Sequence, residues 1–234
     1  MTRHLWKPIT LLLATVPLLV GAATAKPAAE PFDAATMIVE VNATDGDAGL
    51  QVFLDHGPWS AVRIFKPDGT KMLDIKTKGD LKDYGLTELF SESSEPPFTE
   101  FPLAKFKKLW PEGEYRFEGT TIEGDELAST ATLSHDIPKG PTIIRPQEDS
   151  KVSGKVKVRW EPVSEPPGIE IVSYQVIVER EDPLRVFRVD LPPDATAVKV
   201  PAAFIETGVE YKAEVVAIEA GGNQTLSEVA FETE

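Results

Sequence analysis

Two acidic residues that alternate along one short stretch are the first place to look for chemistry. In "NATDGDAG", Asn42 to Gly49, Asp45 and Asp47 have the spacing of oxygen ligands around a calcium ion. The EF-hand pattern nevertheless fails. Counted from Asp45, its twelfth position is His56 instead of a bidentate glutamate, and no glycine stands at position six. The stretch therefore reads first as a polar turn between two strands, rich in residues that tolerate left-handed backbone, with an interstrand calcium site as the second reading. No other cofactor is expected. Glu95 with Glu100, or Glu123 with Asp125 and Glu126, have the composition of a glycosidase acid/base pair. Among 38 acidic residues such neighbours are expected, and they read as a solvated face.

The remaining catalytic inventory is thin. Of three histidines, His4 lies in an apparent leader, which leaves His56 and His135 without metal-ligand spacing and without any cysteine. Ser134, His135 and Asp136 have the types of a hydrolase triad, but neighbours along a strand cannot converge on one another. No glycine-rich phosphate loop is present. The chain is expected to be non-enzymatic.

The N-terminus carries an address. Arg3 and Lys7 precede an apolar run from Ile9 to Val20, and Ala23-Thr24-Ala25 has the small-residue pattern of a cleavage site. Residues 1–25 are read as a secretory signal, and the run is short for a membrane span. No cysteine follows it, which argues against a lipid anchor, and no membrane insertion is expected after cleavage. The absence of cysteine in an exported chain points to a bacterial origin and to stability drawn from hydrophobic cores. The formal net charge is −14, and losing the two positive charges of the leader takes it to −16. Such a chain has no basic face for nucleic acid. Asn42-Ala43-Thr44 and Asn223-Gln224-Thr225 are chance glycosylation sequons unless the host uses them.

Aromatic residues crowd one region: Tyr84, Phe90, Phe98, Phe101, Phe106 and Trp110. Leu86, Leu89 and Phe90 have helical spacing, as do Leu103, Phe106 and Trp110 after Pro102. The spacing predicts a helical insertion over about 84–110 that caps a sandwich. Phe98, Phe101, Phe106 and Trp110 are the candidate binding residues if that surface is open instead.

The elements that would position these residues are strands. Candidates before a Pro- and Gly-rich stretch, Asp136 to Pro146, are Met37–Val41, Leu50–Leu54, Ala61–Phe65, Tyr115–Ile122 and Ala128–Leu133. After it come Val156–Trp160, Ser173–Glu179, Arg185–Asp190, Ala197–Val200, Tyr211–Ile218 and Ser227–Thr233. "EYRFEGTTIEGDEL", from Glu114, echoes "EYKAEVVAIEAGGN", from Glu210, at a separation of about one sandwich domain.

The second half resembles a fibronectin type III module over Pro141 to Glu234, through Pro146, Trp160 in "VKVRWEPV", Tyr174 in "IVSYQVIV", and "FIETGVEYKAEVVAIEAGGNQTLSE". The resemblance implies a tryptophan buried between two sheets and a tyrosine corner at Tyr211, with Tyr115 as a second such clamp. The adhesion tripeptide Arg-Gly-Asp is absent. The expected architecture is all-β, with two tandem immunoglobulin-like or fibronectin type III-like β-sandwiches. A linker at 26–35 precedes an N-terminal sandwich at 36–136. A second linker at 137–140 leads to the C-terminal module at 141–234. The expected role is a secreted or periplasmic binding or structural protein that presents its modules to a protein or glycan of the cell envelope or outside. A small secreted hydrolase with an accessory type III module, and a periplasmic assembly chaperone, are the alternatives.

Overall fold

A computed structural model describes residues 28–234. The expected signal, residues 1–25, and the start of the expected first linker lie outside the described residues. In the first half, β1 (Ala34–Asn42), β2 (Asp47–Phe65) and β3 (Lys71–Lys76) precede a single helical turn, α1 (Leu81–Tyr84). Then come β4 (Leu86–Glu92), α2 (Leu103–Leu109), β5 (Gly113–Thr121) and β6 (Glu126–Leu133). The second half is entirely strands: β7 (Ile143–Arg145), β8 (Ser150–Val152), β9 (Lys157–Trp160) and β10 (Ile171–Arg180), then β11 (Arg185–Leu191), β12 (Ala197–Lys199), β13 (Glu210–Glu219) and β14 (Gln224–Thr233). The chain is all-β.

Period-two burial explains the strands. In β10 Tyr174, Val176 and Val178 are buried while Gln175, Ile177 and Glu179 point the other way, and β1 alternates likewise with Met37, Val39 and Val41 inside. Two cores result. One gathers Val39, Leu54, Trp59, Val62, Ile64, Tyr115 and Phe117; the other gathers Val158, Trp160, Tyr174, Val176, Tyr211 and Phe231. In the second half a three-stranded sheet, β12-β9-β7, faces the four strands β11-β10-β13-β14, as an antiparallel sandwich requires.

The first half reaches its sandwich by a different route. The two expected strands Leu50–Leu54 and Ala61–Phe65 are one 19-residue strand, β2. Its first part pairs with β1 and β4 and its last part with β3 and β5, with register shifts between Asp55 and Ala61. Such irregularities bend a strand and let it pass from one layer to the other. Closure comes from a segment expected to be linker. Glu30 donates its N–H to the Glu126 carbonyl at 2.8 Å and accepts from Ala128 N at 2.8 Å, and Phe32 is buried in the core.

The helical insertion expected over 84–110 is corrected in part. Leu86, Leu89 and Phe90 belong to strand β4, not a helix; among the described residues only α1 and α2 are helical. The register shift between Asp55 and Trp59 of β2 is matched by an out-of-step stretch in β4. Leu86 and Leu89 both turn inward for that reason, and this mimics helical spacing.

The two halves share one sheet. β1 pairs in parallel with β14, Glu40 against Gln224, Val41 against Thr225 and Asn42 against Leu226, giving the order β11-β10-β13-β14-β1-β2-β5-β6. Asn223, 2% exposed, locks this seam. Its Oδ1 accepts from Val39 N at 2.8 Å, and its Nδ2 donates to Ser134 Oγ at 2.9 Å, Ser134 O at 3.2 Å and Asp136 O at 3.3 Å. Thr225 Oγ1 donates to Pro138 O at 2.6 Å. A Cβ on Gly140 would come within 2.5 Å of the Ala43 Cβ. Pro138 and Gly140, in the stretch expected as the second linker at 137–140, thus pack against the seam. The sequon at Asn223 has its amide wholly engaged in this packing.

Candidate functional site

The outer face of the shared sheet is concave. A groove of about 580 Å³ is lined from seven strands of both halves, with Arg188 on β11 and Phe90 on β4 bordering the same space. Strand register fixes its pattern. Ile177 sits between Arg188 and Glu214, Val216 between Gln175 and Leu226, and Glu40 faces both Gln224 and Gly49. Phe90 is 62% exposed, although a large apolar ring on an outer sheet face is ordinarily replaced by a polar one.

Carboxylates dominate one end. Oxygens of Glu40, Glu92 and Glu95 lie within 4.8 Å of one another. Gln51 Nε2 donates to Glu92 at 2.8 Å, and Gln224 Nε2 donates to Glu40. Glu95 is an exposed residue, but its carboxyl end lies on Gly49, where a Cβ would approach Oε1 to 2.5 Å. Desolvation there, followed by the charges of Glu92, Asp47 and Glu40, pushes its pKa up to about 7. Burial, then Glu92, also raises Glu40 against the pull of the Gln224 amide. Lys212 shows the opposite balance on the same face. Burial lowers its pKa, but Glu214 at 2.8 Å, Glu179 at 3.2 Å and Glu228 at 3.5 Å outweigh that and hold it above the usual lysine range. The three carboxyls at the other end can hold a cation or share a proton. A carboxyl with a raised pKa beside a second carboxyl is also the arrangement of a general acid.

The residues singled out from sequence fall elsewhere. Asp45 and Asp47 sit at the β1–β2 turn, where Asn42 Oδ1 accepts from Thr44 N at 2.9 Å and Asp45 N at 3.1 Å. Neither belongs to the converging trio, although burial and Asp45 raise the pKa of Asp47 and its charge is felt by Glu95. Phe106 is buried, and Phe98, Phe101 and Trp110 pack against the first core. Lys66 Nζ lies 4.7 Å from the Trp110 ring centroid and donates to Leu109 O at 2.8 Å. Phe98, Phe101 and Trp110 nevertheless stay partly exposed, and Phe101, Phe106 and Trp110 line a pocket of about 330 Å³ beside α2.

Tyr211 is 1% exposed; its hydroxyl accepts from Glu206 N at 2.8 Å and donates to Phe204 O at 3.3 Å. Tyr115 donates to Pro111 O at 2.9 Å, and burial, with Asp68, pushes its phenol up to about 12. Trp160 packs on Tyr174 at 5.4 Å, and the Tyr174 hydroxyl accepts from Val163 N at 2.7 Å. Ser134 and His135 serve the frame: Ser134 accepts from Asn223, and a ring nitrogen of His135 lies 2.8 Å from Trp110 O. Glu95 meets Glu92 and Glu40, not Glu100. Glu40 and Glu92 escaped sequence reasoning, and Phe90, read as helical, was not among the candidate binding residues. Their one local signal was the period-two placement of Phe90 and Glu92.

No protein-family model matches the sequence, and no curated protein does. Among solved structures, the chain is similar to the FN1-FN3 domains of chicken CNTN1, at 12% identity and a TM-score of 0.34, over 88% of this chain and 66% of that one. It is also similar to a two-domain fibronectin type III segment of chicken tenascin, at 13% identity and a TM-score of 0.31, over 84% of this chain and 97% of that one. The chain thus spans slightly less than two thirds of the CNTN1 chain.

Proposed function

We propose that this protein is a non-catalytic binding module, exported from the cell, that receives a protein or glycan partner in the concave face shared by its two sandwiches. The observation that carries the reading is the groove itself. It draws its walls from both halves, and it leaves Phe90 uncovered above a floor containing Ile177 and Leu226. Its lining is mostly polar or charged, and Phe90, Ile177, Val216 and Leu226 supply the apolar contacts. Export rests on the signal-like residues 1–25. Screening the purified protein against glycan and peptide arrays tests the reading. It requires at least one ligand whose retention falls when Phe90→Ala opens the wall, and ligands held equally by both forms would refute it.

One observation favours a hydrolytic second reading. Glu95 holds its proton to about pH 7 beside Glu92, as a general acid of glycoside cleavage does. Release of reducing ends from polysaccharides, abolished in Glu95→Gln, would establish it in place of the first.

A further inference from the structure

Resting on the binding reading above, we propose that the occupant of the concave groove is an extended peptide segment bearing lysine or arginine. The groove lining is lopsided in charge: Glu40 and Glu92 contribute carboxylates that no described lysine or arginine pairs with, Glu214 is already held by Lys212 at 2.8 Å, and Arg188 is the one basic lining residue. The same face already shows how it treats an ammonium. Lys212 Nζ stands within 3.5 Å of Glu214, Glu179 and Glu228, and it is caged by them on the outer side of β13. The Glu40–Glu92–Glu95 trio has the geometry of such a cage without its cation, since no lysine or arginine of the described residues pairs with it.

An incoming side-chain ammonium or guanidinium supplies the missing charge, brings several donors to the carboxyls and favours their ionised forms. Phe90, with its ring open at the groove wall, offers a face for the same cation. Ile177 and Leu226 accept the apolar stem or a neighbouring apolar side chain, because long cationic side chains bury their methylenes while the charged end seeks partners. An uncharged ligand would use the floor and leave the carboxylates without a cation. A bare metal ion would use the carboxylates and leave the floor uncovered. The peptide uses both.

The test is fluorescence anisotropy of a labelled octalysine against the purified protein, with calcium chloride titrated alone by calorimetry. Glu92→Gln with Glu95→Gln is expected to weaken octalysine binding about tenfold or more, the loss of one to two charge-assisted contacts. Phe90→Ala is expected to weaken it about two- to fivefold. With all titrations run at pH 8, above the Glu95 pKa of about 7, Asp80→Asn with Asp83→Asn removes the same charge at α1, outside the groove, and should leave affinity within about twofold if the contact is local. Equal binding by all variants would mean general attraction to an acidic chain and would overturn the proposal. So would calcium heat that the glutamine pair abolishes while octalysine fails to bind. If octalysine fails but a glycan is retained in a Phe90-dependent way, the peptide assignment falls and the binding reading stands. If nothing is retained, both fall.

Discussion

The two halves answer the same local sequence with different architecture. In the second, "EYKAEVV" runs along β13 and Tyr211 ties two points of the preceding loop, Glu206 N and Phe204 O, while its ring stacks on Phe231 at 5.6 Å. In the first, "EYRFEGT" runs along β5, and Tyr115 ties a single point, Pro111 O, at the exit from α2. The second half divides its layers between separate sheets. The first folds one long strand, β2, across both layers and needs Glu30 to close it. A shared motif therefore fixes a clamp without fixing the path of the sheet around it.

The largest test of that contrast is at the seam. If each half stood alone, Asn223→Ala would cost little beyond its own strand end. Because the buried amide serves Val39, Ser134 and Asp136, we expect a loss of about 3 kcal/mol, from several buried groups left unpaired, and a split of the calorimetric transition into two. Tyr211→Phe comes next, at about 2 kcal/mol for two lost hydrogen bonds, measured by urea unfolding. Tyr115→Phe should cost about 1 kcal/mol for its single bond, and equal losses at the two sites would erase the distinction drawn between them.

The smallest effect is a pH dependence confined to the junction. Glu95 has a folded-state pKa raised from 4.5 to about 7, so the folded state holds a proton that the unfolded state releases first. Its contribution favours the fold below pH 4.5 and is lost as pH rises toward 7. Glu95→Gln should flatten that decline in melting temperature between pH 5 and 7. An unchanged slope would mean that the carboxyl is better solvated than its contact with Gly49 implies.

Much of the frame was legible because it is written locally. Alternation in "IVSYQVIV" and "EYKAEVVAIE" marks strands whose inner residues are the observed core, and Trp160, Tyr174 and Tyr211 lie within that core. What failed was wherever two distant strands meet. Leu86 and Leu89 have helical spacing because β4 follows a shift in β2, more than 25 positions earlier in the chain, and no window around them contains that cause. The groove is harder still. Glu40 and Glu92 are brought together by β1 and β4 pairing on opposite sides of β2, and Gln224 arrives from the other half through β14. Charge counts made acidic neighbours look like solvated surface, and only register separates the trio from the rest.

The parallel pairing of β1 with β14 also disarms a hazard. A sandwich standing alone offers the open rim of its last strand to any unpaired segment nearby, which is how fibrils and swapped dimers begin. Here the rim of one half is sealed by the first strand of the other, and β8 takes the far end of β14. With no cysteine from which to form a disulfide, the chain carries its own guard against self-templating in the way its two halves are joined.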